Sequence, residues 1–172
     1  FLMMYAFSEN FILPLSHDEV VHGKKSLLDK MFGDYGQKFD AYKAFLTYYM
    51  TIPGKKLMFM GSEFAQFREW DFDNALEWFM LDYDAHKQMH NYVKDLNKFY
   101  LKNSQFWEID YSWEGFSWIS NDDYSQSIIS FRRINKAGDE IICVCNFVPV
   151  DRANYRIGVP AEGNYKKMFS SS

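Results

Sequence analysis

Two short apolar runs, each followed at once by polar residues, constrain the fold of this chain more than any other feature. The first, residues 11–15, leads into the Ser-His-Asp-Glu sequence at positions 16–19, and the second, residues 56–61, leads into Ser62 and Glu63. Such runs are typical of buried parallel strands whose carboxyl ends deliver polar side chains to a cleft. The sequence therefore predicts a functional site where the two strands end.

The segment between the two runs has the periodicity of an amphipathic helix. Apolar side chains recur at spacings of three and four residues, which places them on one face. They are Phe39, Tyr42, Phe45, Leu46, Tyr49 and Met50. Pro53 and Gly54 are expected to end this helix. A strand, a helix and a strand in this order predict a βαβ unit with parallel pairing and a right-handed crossover.

A second amphipathic helix is predicted over residues 84–101, and short strands replace the helical pattern beyond residue 103. The predicted strands are residues 116–120, 127–134 and 140–147, followed by shorter ones near 155–158 and 165–169. Turn residues at 135–139 predict a hairpin between the second and third strands.

The expected fold class is therefore α/β plus all-β. Residues 1–103 form the α/β domain, with the end of a helix over residues 1–7, and residues 104–172 form the β domain. The closing strands that a complete sandwich needs are missing from this second domain. We expect the chain to be part of a longer protein.

Composition and charge narrow the range of partners and settings. A net charge of −4 with scattered basic residues argues against nucleic acid or an anionic membrane as the main partner. No apolar span approaches the roughly 20 residues of a transmembrane helix. Cys143 and Cys145 would share one face of a strand, where a disulfide between them would be strained. They are predicted to be buried free thiols, as suits a cytoplasmic protein.

The polar cluster after the first run allows more than one interpretation. A helical zinc site needs two histidines four residues apart, whereas His17 and His22 are five apart and would diverge on a helix. No metal site is therefore expected. Glu19 follows Asp18 directly, so the two carboxylates should point in different directions rather than face each other. The alternative to a catalytic role is that His17 and Asp18 form a loop hydrogen-bond pair without chemistry.

Two long motifs carry a resemblance to a known family. The sequence NFILPLSHDEVVHGKKSLL at residues 10–28 resembles the last catalytic motif of glycogen (1,4-α-glucan) branching enzymes of the α-amylase superfamily, and PGKKLMFMGSEFAQFREW at residues 53–70 resembles the segment around their eighth barrel strand. Ser62 stands where those enzymes usually have asparagine. The resemblance implies the last two βα units of a (β/α)₈ barrel and a truncated C-terminal β-sandwich domain.

The resemblance also implies roles for individual residues. Retaining cleavage of a glycosidic bond uses a nucleophilic carboxylate and an acid/base carboxyl about 5–5.5 Å apart. Asp18 matches a third acidic residue of the family, and His17 matches the histidine that bonds hydroxyls of the same sugar. The nucleophile and the acid/base have no counterpart in this chain. Apart from the resemblance, Trp70 is a candidate substrate-binding residue because aromatic rings suit the apolar faces of sugars. Glu63 and Asp71 lie on the loop after the second run and could orient a substrate or simply be solvated.

The resulting hypothesis is a piece of a branching enzyme. Its parent would transfer an α-1,4 glucan segment to a 6-hydroxyl without a cofactor, with an α-glucan as substrate. The chain alone is expected to be inactive and to self-associate through unpaired barrel edges. The alternatives are an α-amylase-type hydrolase and a non-catalytic glucan-binding module.

Overall fold

The computed structural model describes Met3 and residues 6–172. Its elements in chain order are β1 (Ile12–Leu15), α1 (Tyr35–Thr51), β2 (Lys55–Met58), α2 (Asp84–Lys102), β3 (Phe116–Asp123), β4 (Ile128–Ile134) and β5 (Glu140–Asn146). The helix end predicted over residues 1–7 falls largely outside the described residues. Within the described part, no helix is both long and apolar enough to cross a membrane.

The first part of the chain contains the predicted βαβ unit. Strands β1 and β2 pair in parallel, with Leu15 opposite Met58, and α1 connects them. The backbone N–H of Phe59 donates to the Leu15 carbonyl over 2.8 Å, so the two strands stay paired up to the point where both end. Parallel pairing therefore brings the two predicted polar loops to the same edge.

Local sequence explains where α1 begins and ends. The Asp34 carboxylate accepts from the Gln37 backbone N–H, and the Gln37 side-chain oxygen accepts from the Asp34 N–H, each over 2.9 Å. This reciprocal cap satisfies N–H groups that a helix start leaves unpaired. The helix ends before Pro53, and Gly54 takes a φ of +107°. A Cβ at Gly54 would lie 2.8 Å from the Leu13 Cγ, so only glycine fits this turn without displacement.

Helix α1 is joined to both strands by one tyrosine. The Tyr49 hydroxyl lies 2.7 Å from the Leu13 carbonyl and 3.0 Å from the Leu57 carbonyl, and it accepts from the Leu57 N–H over 2.8 Å. Burial raises the pKa of Tyr49 to about 12, partly offset by the Leu57 backbone hydrogen bond. The hydroxyl therefore stays protonated at neutral pH and remains a donor to the strand carbonyls.

The main core lies between the two helices and one face of the parallel sheet. Helix α2 contributes the inward-facing side chains Met89, Val93 and Leu96, as its sequence pattern predicts. Together with Tyr42 and Leu46 of α1, they are almost completely buried. The apolar faces that periodicity identifies are thus the faces that pack.

The opposite face of the parallel sheet is open, which corrects the expectation of fully buried strands. Ile12 is 56% exposed and Leu57 is 45% exposed, and they lie on the face away from α1. No described segment covers this face. Strand propensity alone does not supply the second layer that a buried parallel strand requires.

The second part of the chain is a three-stranded antiparallel sheet in the order β3-β4-β5. The predicted turn joins β4 to β5: the Gly138 N–H donates to the Asn135 carbonyl over 3.1 Å, and Gly138 has a φ of +85°. Cys143 is buried and Cys145 half-buried, and both thiols are free, as predicted. Burial raises the pKa of each to about 12.

The two shorter strands predicted near residues 155–158 and 165–169 are wrong, because no strand is present between residues 147 and 172. A run of four or five residues becomes a strand only when a neighbouring edge pairs with it, and this tail is tied down by side chains instead. The Tyr155 hydroxyl donates to Asp123 over 2.7 Å, and the Phe169 ring stacks 5.0 Å from Phe99 of α2.

A buried ion pair joins the two parts of the chain. The Arg133 guanidinium of β4 donates to the Asp110 carboxylate over 3.0 Å, and both side chains are almost entirely removed from solvent. Arg133 also donates to three backbone carbonyls over 2.8–3.2 Å, those of Thr51, Phe106 and Gly115. Burial lowers the pKa of Arg133, and the Asp110 charge opposes that shift.

Asp110 is held from the other side by the start of β2. The Gly54 N–H donates to its Oδ1 over 2.9 Å. The Lys55 ammonium lies 3.3 Å from Oδ2, although no aligned hydrogen bond reaches that oxygen within the described structure. The end of α1, the start of β2 and the end of β4 therefore meet at one pair of charges.

We expect Arg133→Met to destabilise the chain by about 3–5 kcal/mol, because removing one partner leaves a buried charge and several carbonyls unmatched. The measurement is the free energy of unfolding in urea, followed by circular dichroism. Arg132→Met is the matched control, since the neighbouring Arg132 is partly exposed and pairs with Glu140 over 3.2 Å. Its cost should stay near or below about 1 kcal/mol. Similar costs for both variants would show that the pair does not hold the junction.

Candidate functional site

The candidate site begins where β1 ends. Ser16 caps a single 3₁₀ turn, His17–Glu19, and accepts from the Asp18 backbone N–H over 3.2 Å. The Glu19 carboxylate reaches back and accepts from the Ser16 N–H over 2.6 Å and from its hydroxyl over 2.9 Å. The Ser-His-Asp-Glu sequence is therefore a capping box, which turns the chain sharply at the sheet edge.

The capping box gives the two adjacent carboxylates different roles. Burial tends to raise the pKa of Glu19, but hydrogen bonds from Ser16 and the charge of Lys30 outweigh it and hold the pKa below its usual value. The Glu19 carboxylate is thus occupied by hydrogen bonds from Ser16. The Asp18 side chain is 72% exposed, and the described structure gives its oxygens only the His17 ring as a polar neighbour. Asp18 is therefore the carboxylate that a substrate could reach.

His17 and Asp18 lie side by side above an aromatic cluster. The His17 Nε2 is 3.4 Å from the Asp18 Oδ1. The His17 ring meets the Trp70 ring edge-to-face at 5.3 Å, and Trp70 meets Phe59 in the same way at 5.5 Å. Trp70 therefore supports His17 from below, and the structure brings three of the predicted site residues, His17, Asp18 and Trp70, into one group.

Glu69 joins the two loops of the site. Its carboxylate accepts from the Gly23 N–H over 2.9 Å and from the Lys25 N–H over 2.6 Å, and it lies 3.4 Å from the His22 ring. These two backbone hydrogen bonds, followed by His22, lower the pKa of Glu69. The next residue, Trp70, donates its backbone N–H to the Val20 carbonyl over 2.8 Å. The loop after β1 is therefore fixed to the loop after β2.

Two lysines stabilise the same loop from within. The Lys24 ammonium donates to the Asp18 carbonyl over 2.8 Å, and the Lys30 ammonium donates to the Glu19 carbonyl. Both Lys24 and Lys25 are exposed, and Lys24 in addition satisfies the backbone carbonyl of the catalytic candidate. Lys25 lies 4.0 Å from Asp29.

Glu63 belongs to the loop after β2, but no described contact joins it to His17, Asp18 or Trp70. It sits in a 3₁₀ turn, Ser62–Phe64, between Gly61 and Ala65, which both have positive φ. The Tyr42 hydroxyl holds this turn by donating to the Ser62 carbonyl over 2.9 Å, and burial together with the Glu63 charge keeps the pKa of Tyr42 above its usual value. Substrate binding by Glu63 stays a prediction.

The loop after this turn displays aromatic rings to solvent. Phe64 is buried, whereas Phe72 is 80% exposed and Trp78 and Phe79 are each more than half exposed. Asp71 accepts from Arg68, Asn74 and the Asp73 backbone, and these hydrogen bonds, that from Asn74 foremost, lower its pKa. Asp71 therefore shapes the loop itself.

A small cavity of about 20 Å³ lies beneath the cluster, between Trp70, Phe59 and Tyr42. It could hold about one water molecule and no sugar. Among the described residues, no group of three or more His, Cys, Asp or Glu side chains is placed to hold a metal ion.

Sequence reasoning missed Glu69. Its partners are backbone N–H groups at positions 23 and 25, which leave no side-chain pattern in the sequence. The available signal was its position beside Trp70 in the second family-like motif, combined with Gly23, which has a φ of +83° and so marks a turn.

Comparison with known proteins first defines a class. Residues 118–172 match the family model described as the alpha amylase C-terminal all-beta domain. This range contains most of β3 together with β4, β5 and the tail. Residues 118–172 are therefore an α-amylase-type C-terminal domain, in agreement with the all-β region predicted there.

The curated relatives are more specific. The chain is 58% identical over 172 residues to the 1,4-alpha-glucan branching enzyme GlgB of Halothermothrix orenii, 51% identical to that of Desulfitobacterium hafniense and 52% identical to that of Aquifex aeolicus. Each alignment covers 99% of this chain and 27% of the relative, so the chain spans about a quarter of their length. The resemblance to branching enzymes of the α-amylase superfamily is thus confirmed.

We expect Glu69→Gln to loosen the loop after β1 without unfolding the chain, because an amide oxygen is a weaker acceptor for two N–H groups than a carboxylate. Amide hydrogen exchange at Gly23 and Lys25 should become faster, while the unfolding midpoint changes little. Glu162→Gln is the control, since Glu162 is exposed and makes no hydrogen bond in the described structure.

The hydrogen bonds that Glu69 accepts from Gly23 and Lys25 should depend on pH. Because the folded pKa of Glu69 is lowered, its contribution is present above the ordinary value of 4.5 and is lost as the pH falls through the folded value. Protection of Gly23 and Lys25 should therefore persist at pH 5 and decline only under more acidic conditions. Equal exchange at these amides in the wild type and in Glu69→Gln would contradict the role of Glu69.

Proposed function

We propose that this chain is part of a 1,4-α-glucan branching enzyme, which transfers an α-1,4 glucan segment to a 6-hydroxyl and so makes α-1,6 branches in glycogen. The observation that carries the proposal is the free Asp18 carboxylate, presented beside His17 at the carboxyl end of a parallel strand. The names of the relatives support the reaction, and the geometry supports the roles of the residues.

The proposed role of Asp18 follows from the charge that develops during glycosyl transfer. A retaining reaction passes through oxocarbenium-like transition states in which positive charge builds on the sugar ring. An exposed carboxylate with free lone pairs stabilises that charge more than it stabilises the neutral ground state. His17, held by the Trp70 ring, bonds hydroxyls of the same sugar from the side.

The remaining catalytic groups belong, in this proposal, to residues outside the chain. The nucleophile and the acid/base come from other strands of a (β/α)₈ barrel, of which β1 and β2 are the last two. The open face that carries Ile12 and Leu57 is then the face turned to the barrel interior. Residues 1–103 complete this barrel, and residues 104–172 form the beginning of a β-sandwich domain.

The substrate is an α-glucan, bound at the open surface near Trp70 and the exposed rings after it. Aromatic rings suit sugars because a pyranose has apolar faces edged by hydroxyls. Glu63, on the same loop, orients the chain through hydroxyl groups. The reaction needs no cofactor, and the enzyme works in the cytoplasm.

In the full-length enzyme, Asp18→Asn should lower the branching rate by roughly 10²–10³, because it removes the charge and keeps the size of the side chain. Affinity for glucan should be nearly unchanged. The rate is measured by the fall in iodine-stained absorbance of amylose, with chain-length analysis of the products to separate branching from hydrolysis. His17→Ala should cost less, since a neutral hydrogen bond is weaker than a charge-assisted one.

Asp95→Asn, on the exposed side of α2, is the matched control and should leave the rate unchanged. The 172-residue chain alone should be inactive in the same assay. Near-normal turnover of Asp18→Asn, or an equal loss of turnover and affinity, would show that Asp18 does not have the proposed catalytic role. Hydrolysis products without new branches would favour the amylase-type alternative.

We expect the isolated chain to self-associate, because among the described residues β1 and β2 each have an unpaired outer edge and share an open apolar face. Sedimentation velocity should show a concentration-dependent increase in mean mass. Ile12→Lys should reduce this increase by placing a charge on the open face. Val144→Lys, at an exposed apolar position of β5, should not. A monomer at all concentrations would contradict the proposed edges.

A further inference from the structure

A polar groove in the second part of the chain is not used by the proposed chemistry. It lies between the β3–β4 turn and the tail segment 151–156, and its volume is about 580 Å³. Binding sites for small ligands commonly measure about 300–1,000 Å³, so the groove has room for a short oligosaccharide. Its walls include Gln126, Arg152, Asn154 and Tyr155.

One wall of the groove is fixed in advance by Asp123. Its Oδ2 accepts from the Tyr155 hydroxyl over 2.7 Å and from the Gln126 side-chain amide over 2.9 Å. Its Oδ1 accepts from the Ser125 hydroxyl over 3.0 Å and from the Gln126 N–H over 3.2 Å. Both oxygens are occupied, so Asp123 positions Tyr155 and Gln126 and is not itself free for a ligand.

Other residues that line the groove carry polar groups for which the described chain supplies no partner. The Arg152 Nε is buried and has no hydrogen-bond acceptor in the described part of the chain. Asp151 and Arg156 line the same groove, and the described structure gives their side chains no hydrogen bond or ion pair. A buried donor without a partner is costly and rare in native proteins, so water or a ligand has to supply the acceptor for Arg152.

The charge balance of the groove selects the kind of ligand. Two guanidinium groups, Arg152 and Arg156, face two carboxylates, Asp123 and Asp151, so the formal charge of the lining is zero. A free anion would meet the carboxylates, and a cation would meet the arginines. A neutral ligand that both donates and accepts hydrogen bonds suits this lining best, and the half-buried Tyr155 adds an aromatic surface.

We propose that this groove binds a segment of neutral α-glucan, with a sugar hydroxyl accepting from the Arg152 Nε–H and another donating to Asp151. The choice of glucan over other hydroxyl-rich molecules rests on the proposed function. The groove lies within the residues that match the alpha amylase C-terminal all-beta domain, so a glucan bound there would be additional to the glucan at the ends of β1 and β2.

The test is a titration of the ¹⁵N-labelled 172-residue chain with maltoheptaose, followed by nuclear magnetic resonance. The Arg152 Nε–H signal and the backbone amides of Asn154 and Tyr155 should shift together and saturate. Arg152→Met, which keeps the length of the side chain, should weaken binding about tenfold or more. Lys136→Met removes an exposed cation from the β4–β5 turn and should leave the affinity unchanged.

The other outcomes decide against the groove. Shifts caused by inorganic phosphate but not by maltoheptaose would show an anion site, and no shift with either probe would mean that water alone satisfies Arg152. Equal binding by the wild type and Arg152→Met would also overturn the proposal. If Arg152→Met fails to fold, Arg152→Lys tests the same point, because lysine keeps the charge but has no Nε–H.

Binding in this experiment needs no catalysis. Failure of the groove therefore leaves the role of Asp18 untouched, and loss of the Asp18 role leaves groove binding measurable.

Discussion

The buried ion pair between Arg133 and Asp110 is the interaction on which the arrangement of the two parts depends. A guanidinium remains charged, and its nitrogens need hydrogen-bond acceptors when water is excluded. The structure gives each of the three nitrogens at least one acceptor, through one hydrogen bond to the carboxylate and three to the carbonyls of Thr51, Phe106 and Gly115. These carbonyls come from separate segments, so satisfying one side chain fixes several turns at once.

The placement of the candidate site follows from this junction in a few steps. The ion pair holds the end of α1 and the start of β2, and Tyr49 then holds both parallel strands against that helix. The strand ends meet at one edge, where the Ser16–Glu19 cap turns the chain and leaves Asp18 exposed. Glu69 finally fixes the two loops to each other. Each step uses backbone groups, which makes the geometry insensitive to much of the side-chain sequence.

Sequence predicted the elements whose signals are local. The face of α1 is encoded by side chains three and four residues apart, and the β4–β5 turn is encoded by Asn135 and Gly138. The Ser-x-x-Glu pattern of the capping box at Ser16 is equally visible in the sequence, but neither interpretation of the polar cluster, catalysis or a His17–Asp18 loop pair, used it. Local rules therefore fixed where elements begin and end, and the family resemblance pointed to Asp18 and His17.

The features that sequence did not predict depend on distant partners. Arg132 and Arg133 are adjacent and chemically identical, and only carbonyls as far as 82 residues away distinguish the buried one from the exposed one. The tail between residues 147 and 172 has strand-like runs, yet strands form only where an edge is available to pair. The burial of β1 and β2 was predicted from their apolar residues, although burial requires a second covering layer.

Successive side chains of β5 point to opposite faces of the sheet, and this affects how readily its two cysteines are oxidised. Cys143 and Cys145 point into the protein from the same strand, and a pKa of about 12 leaves only about one thiol in 10⁵ ionised at neutral pH. Oxidants and electrophiles attack the thiolate, so these two sulfurs should react slowly as long as the sheet remains folded. Methionines at the surface, such as Met60 and Met168, are the more accessible targets. The exposed methionines should therefore be oxidised first, and the two cysteines of β5 last.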